Sequence, residues 1–294
     1  MKIKKFYYAW LLLFLLSLIW GSSPILIKKA LISLNPFEIG ALRLSFAALV
    51  LLPFLTKSLR DLQKNDFLIL FISGIVGNVI PYFLYPIAQT KIDSATSGVL
   101  TSLTPFFALI IGVVFYRQKA TKNNLIGLII GFIGTATLIL FTSKTSGNGP
   151  DIFGLFVVLA TVLYGINLNL IKYHLNHLKP ITITSFSIVL ILPITLYILI
   201  VDTPFLEHFN DFQTHKFEFF YVFILGVICT SIATIIFYKI IKIKDTVFAS
   251  TVTYLMPIVA VIIGVGDGEI INIIQVGGMI LILTGVFISG KETK

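Results

Sequence analysis

The sequence predicts an all-α integral membrane protein of ten transmembrane helices, arranged as two inverted five-helix repeats. Three observations predict this fold: long apolar runs, lysine and arginine gathered on one side of them, and a duplicated residue pattern. The chain has 294 residues, of which 57% are hydrophobic and 12% charged, with a mean hydropathy of +0.99. Soluble domains carry about 25% charged residues. A fraction near half of that, across runs of this length, means that lipid is the main solvent.

A helix needs about 20 mostly apolar residues to cross the hydrocarbon core. Ten segments meet this in order: 8–31, 36–56, 66–90, 94–116, 123–142, 152–174, 180–201, 217–240, 246–265 and 270–289. The first reads as a retained span rather than a signal peptide, because it is too long and lacks a small-residue cleavage site. Pro36, Pro150 and Pro180 stand where the second, sixth and seventh spans begin, and the first turn of a helix tolerates proline. The polar stretch SKTSGNGPD, residues 143–151, is the expected linker between a first repeat at 1–142 and a second at 152–294.

Charge tests the count. With the N-terminus inside, 16 of the 22 Lys and Arg residues fall on the inner side: Lys2, Lys4, Lys5, Lys57, Arg60, Lys64, Arg117, Lys119, Lys122, Lys172, Lys179, Lys239, Lys242, Lys244, Lys291 and Lys294. Only Lys28, Lys29, Lys91, Lys144 and Lys216 fall outside, and Arg43 lies within a span. This bias places both termini in the cytoplasm and the chain in the cell membrane as a multi-pass protein. The net charge of +9 therefore reflects orientation, with membrane lipids as partners and no nucleic acid, since no basic face forms outside short loops. The single cysteine, Cys229, excludes an internal disulfide and a cysteine-built zinc site. No HExxH, nucleotide loop or serine elbow occurs, so the reading is not an enzyme and needs no cofactor or metal.

The duplication is read from matched residues. LIWGSSPILIKKAL (18–31) has the layout of VLYGINLNLIKYHL (162–175): Trp20 matches Tyr164, Gly21 matches Gly165, and Lys28 matches Lys172. Pro36 and Pro180 keep the same offset. DSATSGVLTSLTPFFALIIGV (93–113) aligns with DTVFASTVTYLMPIVAVIIGV (245–265), and after a one-residue slip Gly127 and Gly134 match Gly278 and Gly285. A five-helix unit is odd, so its second copy lies upside down, as in many secondary transporters with a midplane site between halves. Two mirror-related states of similar energy favour transport over catalysis.

The Trp-Gly-Ser-Ser-Pro element with its trailing Lys, the proline followed by Arg43-Leu-Ser-Phe, the Thr-Pro of the fourth span and the glycine-rich fifth resemble EamA-type members of the drug/metabolite transporter superfamily. The resemblance covers both copies. It implies ten helices and export or exchange of small metabolites by alternating access. It also implies a cavity built from spans one to four and six to nine. Two departures stand out. Arg117-Gln118 replaces the frequent Gly-Glu after the fourth span, whereas Gly268-Glu269 keeps it in the second copy. Tyr164 stands where Trp is usual.

Candidate site residues follow from polar groups inside spans, which face a cavity or a neighbouring helix. Asn78, Tyr82, Tyr85 and Gln89 form one stripe of the third span, interrupted by Pro81 and Pro86. Trp20 is at mid-depth, where a cavity wall or gate is the sharper reading and lipid contact the plainer one, with Pro24 as a bend. Lys28, about 12 Å further along the axis, reads as snorkelling to outer headgroups. Arg43 is the one Arg or Lys well inside a span, and has no partner at three or four residues in its own helix. Glu38, Asp93, a helix C-terminus or a substrate carboxylate are its candidates. Thr101, Tyr164, Asn167, Thr253 and Tyr254 complete the substrate set, with Pro105 and Pro257 as further hinges. Hydroxyls and aromatics outnumber charges there, which suits an amino acid or similar amphiphilic solute; the export direction is what the family resemblance implies. A lipid-linked sugar flippase or an accessory subunit is the alternative. Gly127, Gly131 and Gly134 form a flat face for the tenth span, with a homodimer contact as the alternative to a monomer.

Overall fold

Residues 2–59, 62–141, 152–243 and 252–289 of the computed structural model are described here. The expected linker 143–151 and the Asp245 that anchors the second alignment lie outside them, as does the side chain of Tyr254. Among the described residues there are helices and no strands. In chain order these are α1 (Lys2–Gly21), α2 (Ser23–Ala30), α3 (Pro36–Ser58), α4 (Asp66–Gly74), α5 (Ile80–Gln89), α6 (Ser94–Leu100), α7 (Thr104–Tyr116) and α8 (Lys122–Phe141). The second half gives α9 (Gly154–His174), α10 (Pro180–Leu190), α11 (Leu192–Val201), α12 (Phe205–Asn210), α13 (Phe212–Gly226), α14 (Ala233–Ile243), α15 (Val252–Gly266) and α16 (Ile273–Ser289).

Several of these helices continue one another, so the chain makes fewer crossings than it has helices. Among the described residues eight stretches are long and apolar enough to span a bilayer: Tyr7–Ala30, Pro36–Leu55, Asp66–Gln89, Ser94–Tyr116, Lys122–Phe141, Gly154–His174, Pro180–Val201 and Phe212–Phe237. Two shorter apolar helices follow, Leu255–Gly266 and Ile273–Ser289. The ninth span expected from the sequence, 246–265, begins in residues outside the described set. A multi-pass membrane protein is the direct reading of this helix set.

The breaks sit where the sequence places prolines and small residues. Pro24 falls in the first turn of α2, just after the interruption at Gly21 and Ser22. Asn35 caps α3 by accepting the Glu38 amide at 2.8 Å, with Pro36 in the first turn. Pro105 follows a 3₁₀ turn at Thr101–Leu103, and Pro81 opens α5. Pro86 and Pro257 lie inside α5 and α15.

The two halves interleave rather than packing as separate bundles. α1 lies against α14 and α15, α3 against α10, α11 and α13, α5 and α7 against α9, and α6 against α15. α8 and α16 pair outside this group through their glycines. A Cβ on Gly134 would stand 2.7 Å from the Gly278 carbonyl, and one on Gly278 would stand 3.1 Å from that of Gly134. The glycine face of the fifth span is thus taken up by the last helix.

Candidate functional site

Two π-helical turns shape the centre. One, Ile75–Val79, joins α4 to α5; the other, Val227–Ile232, joins α13 to α14. They occupy matching positions of the repeat. In the first copy the cause is Pro81, which has no N–H and whose ring clashes with the carbonyl four residues back. The second copy has Ala233 there. Its hydroxyls act instead: Thr230 Oγ1 donates to Leu225 O, five residues back, at 2.9 Å, and Ser231 Oγ donates to Ala47 O of α3 at 3.1 Å, with Gly226 O at 3.4 Å. The Ala233 amide then bonds to Ile228 O, one residue earlier than in an α-helix. The bypassed Cys229 carbonyl accepts the Trp20 indole N–H at 3.0 Å. Turns of this kind recur at functional sites.

Arg43 stands at the crossing of four helices. Its Nε donates to Thr230 Oγ1 at 3.0 Å, and Nη1 reaches Ser23 Oγ at 3.4 Å. The guanidinium carbon lies 4.0 Å from the centre of the Tyr82 ring, a cation–π contact. The residue is 5% exposed. No carboxylate among the described residues pairs with it; Glu38 is engaged by His208 at 3.0 Å. Beside it, the buried Tyr85 ring stacks on Tyr164, with centroids 6.2 Å apart and planes 29° off parallel. The Tyr85 hydroxyl is buried near Thr101 without a hydrogen bond. Thr101 itself donates to Ser97 O.

One helical turn away lies a cavity of about 110 Å³, lined by Ser73, Asn78, Asn167, Thr184, Ser187 and Thr234, with three isoleucines, from four spans of both halves. Ser73 donates to Asn167 Oδ1 at 2.6 Å. Thr234 donates to Thr230 O at 2.6 Å, so the cavity and the Arg43 cluster share a wall.

Both ends of the bundle carry bridges between halves. At one end Lys28 Nζ meets Asp267 at 2.7 Å and Glu269 at 2.9 Å, and Lys29 meets Asp267 at 2.5 Å. The Glu269 side chain is 1% exposed. It also accepts from the Ser94 amide and hydroxyl and from the Ala95 amide, capping α6. Burial works to raise its carboxyl; the Ala95 amide, Lys28 and Ser94 outweigh that and hold it below its ordinary value. Hydrogen bonds from Lys28 and Lys29 lower that of Asp267. Lys28 thus ends on two acids and not at headgroups. Nearby, the His208 and His215 rings lie tilted at 55° with centres 4.6 Å apart, one against Glu38 and the other against Ser33. At the other end His177 meets Asp66 at 3.1 Å, and Tyr116 stacks on Tyr173 at 4.1 Å.

The polar stripe of the third span is therefore divided among several partners. Asn78 lines the cavity, Tyr82 underlies Arg43, Tyr85 meets Tyr164, and Gln89 turns away to Ser97 at 3.1 Å. Trp20 packs on Phe237 at 5.5 Å and on the second π turn, away from the residues lining the cavity. Thr253 is half-buried at the start of α15. Ser73 and Thr184 are site residues that the sequence did not single out, and Ser187, Thr230 and Thr234 lie outside the substrate set read from it. The repeat points to three of these: Ser187 is the partner of Arg43, Thr230 that of Asn78 and Thr234 that of Tyr82.

The EamA-like transporter family pattern matches the chain twice, over residues 8–140 and 152–290. An "uncharacterized transporter" of Archaeoglobus fulgidus is 27% identical over 287 residues, covering 95% of this chain and 97% of its own. The "uncharacterized transporter YetK" of Bacillus subtilis is 25% identical, covering 93% of this chain and 84% of its own. A crystal structure superposes with a TM-score of 0.64 over 96% of both chains at 17% identity, a likeness of fold. With both halves matched and transporters among its relatives, the chain belongs to the EamA-like transporter family.

Proposed function

We propose that the protein is a secondary carrier that exports a small metabolite, an amino acid or a related amphiphilic solute, across the cell membrane by alternating access. The observation that carries this reading is the polar cavity walled by Ser73 and Asn78 from the first half and Asn167, Thr184, Ser187 and Thr234 from the second. A solute held there touches both repeats, so a rocking motion of one against the other moves it from side to side. The lining offers hydroxyls and amides without charge, which fits a neutral or zwitterionic solute better than a metal ion or phosphate.

Ten crossings with both termini in the cytoplasm complete the reading. Reciprocal glycine contacts between α8 and α16 support an inverted repeat, because a two-fold axis exchanges Gly127 with Gly278 and Gly134 with Gly285. On this topology the Lys28–Asp267–Glu269 bridge is extracellular and the Asp66–His177 bridge cytoplasmic. Residues 1–142 and 152–294 form the two repeats. The protein works without a cofactor, as a monomer whose glycine face is already occupied.

Purified protein in liposomes, preloaded with mixed amino acids and other small metabolites, tests the reading. Selective efflux, reduced by Asn78→Ala or Thr234→Val while the variant stays folded, is the expected result. Absence of efflux of every solute from folded protein would turn attention to lipid-linked sugar flipping or a subunit role.

A further inference from the structure

We infer that Arg43 is the seat of a carboxylate on the transported solute, and that the neutral cavity one turn away receives the solute's other polar end. The inference rests on the carrier reading above and names the substrate class of that site. A guanidinium offers five N–H donors in a planar fork. Two of them are used, one to Thr230 at 3.0 Å and one, long, to Ser23 at 3.4 Å. The remaining three have no acceptor among the described residues. A cation only 5% exposed, inside an apolar helix bundle, is costly unless an anion accompanies it. No described acid pairs with Arg43: Glu38 is bound to His208, Asp66 to His177 and Glu269 to Lys28, and Glu218 of α13 makes no ion pair with it.

The protein's own contacts fix the fork without neutralising it. Thr230 is held in turn by its bond to Leu225 O, so the π turn presents its hydroxyl to Nε. The Tyr82 face supports one side of the guanidinium at 4.0 Å. Both supports are neutral, and apart from the long Nη1 contact to Ser23 they leave the Nη groups to a ligand, where a carboxylate can accept two parallel hydrogen bonds. A second buried donor in the same cluster is also unused: the Tyr85 hydroxyl, on a side chain 7% exposed, makes no hydrogen bond.

Distance selects the size. Asn78 stands one turn from Tyr82 on the third span, and Thr234 one turn from Thr230 on the eighth, so the amide and hydroxyl pocket lies about 5 Å along the axis from Arg43. A solute with a carboxylate and a hydrogen-bonding group a few bonds away bridges the two. The second copy has Ser187 where the first has Arg43, so the repeat supplies no second guanidinium at that position.

The test compares matched solutes on the wild-type protein in liposomes: leucine, leucinamide and isoamylamine, then phenylalanine, phenylalaninamide and phenethylamine. Efflux and the thermal shift in detergent are both read. The acids are expected to bind at least about tenfold more tightly than their amides or amines, the scale of a charge-assisted hydrogen bond. Arg43→Gln is expected to abolish that preference, and Arg43→Lys to restore part of it. Amides or amines handled as well as the acids by wild-type protein would overturn the assignment while leaving the carrier reading intact. An acid preference that survives Arg43→Gln would also overturn it. Binding and efflux of none of the six, with no other solute moved, would overturn both together.

Discussion

Gly127 and Gly285 pack backbone against backbone, each occupying the space the other's Cβ would need. A Cβ on Gly285 would stand 2.5 Å from the Gly127 carbonyl oxygen, and one on Gly127 would meet Gly285 O and, at 2.7 Å, Ser289 N. Backbone cannot yield as a side-chain end can. Gly127→Ala and Gly285→Ala are therefore expected to destabilise the protein by about 1–3 kcal/mol through overpacking. Gly277, on the same helix as Gly285, has open space around it. Gly277→Ala should be neutral or stabilising by up to about 1 kcal/mol, from helix propensity alone. Thermal unfolding of the three variants in one detergent checks the contrast, and equal effects at 277 and 285 would refute the contact.

Lys28 and Glu269 tie the first half to the second, and both contribute more than surface charges do. Loss of Lys28 leaves a carboxylate that is 1% exposed with three hydrogen bonds and without its lysine partner. Lys28→Met is expected to cost about 1–3 kcal/mol; pairing it with Glu269→Gln should cost less than the two single effects added. The pH dependence has a defined sign. Glu269 and Asp267 titrate below their ordinary values of 4.5 and 3.8 in the folded protein. A depressed carboxylate stabilises the fold above its unfolded value, and that contribution is lost as pH falls through the folded one. The melting temperature should hold from pH 7 to about 5 and fall below about 4.5, less steeply in Glu269→Gln.

What could be read from the sequence divides by the range of the interaction. Asn78, Tyr82 and Tyr85 share a helical period, so their gathering toward the centre was legible, and the offset of the repeat sets Thr230 opposite Asn78 and Thr234 opposite Tyr82. The glycines of the fifth span announced a close helix contact, which α16 supplies. The π turn after Val227 was not legible, since Ala233 removes the proline signal and the hydroxyl bonds that replace it resemble ordinary helix back-bonding. Lys28 and Asp267 are 239 positions apart, and Glu38 and His208 are 170 apart. No periodicity links residues at such separations, so Glu38 stood as a candidate for Arg43 although a histidine on another helix takes it. Of ten expected spans, eight meet the length of a crossing, because α15 is described only from Val252 and α16 is a short helix.

Trp20 reports on the second π turn. Trp20→Phe keeps a ring against Phe237 but removes the donor to Cys229 O. Its expected cost is about 0.5–1.5 kcal/mol, whereas Trp20→Ala adds a packing defect and should cost about 3 kcal/mol. Thr230, the residue after Cys229, holds Arg43, so both variants are expected to slow transport beyond what their stability loss accounts for. Phenylalanine at position 20 that melts lower yet transports at the wild-type rate would show that the carbonyl bond serves stability alone.

Gly77 offers a test of the cavity that leaves its lining chemistry unchanged. It lies in the first π turn, and a Cβ there would press on the amide of Asn167, whose Cγ would be 2.5 Å away. That amide is the end of a side chain, held by Ser73 at 2.6 Å and bordering the cavity. Gly77→Ala should therefore be absorbed by movement of Asn167 into the cavity, with a stability change of less than about 1 kcal/mol, within the range of a flexible side-chain shift. Solute efflux is expected to fall several-fold, and Ser73→Ala in the same background should recover part of it by giving the displaced amide room. Full activity in Gly77→Ala, at unchanged melting temperature, would place the solute path away from Asn167. A fall in efflux matched by a fall in stability would instead mark the π turn as a packing element.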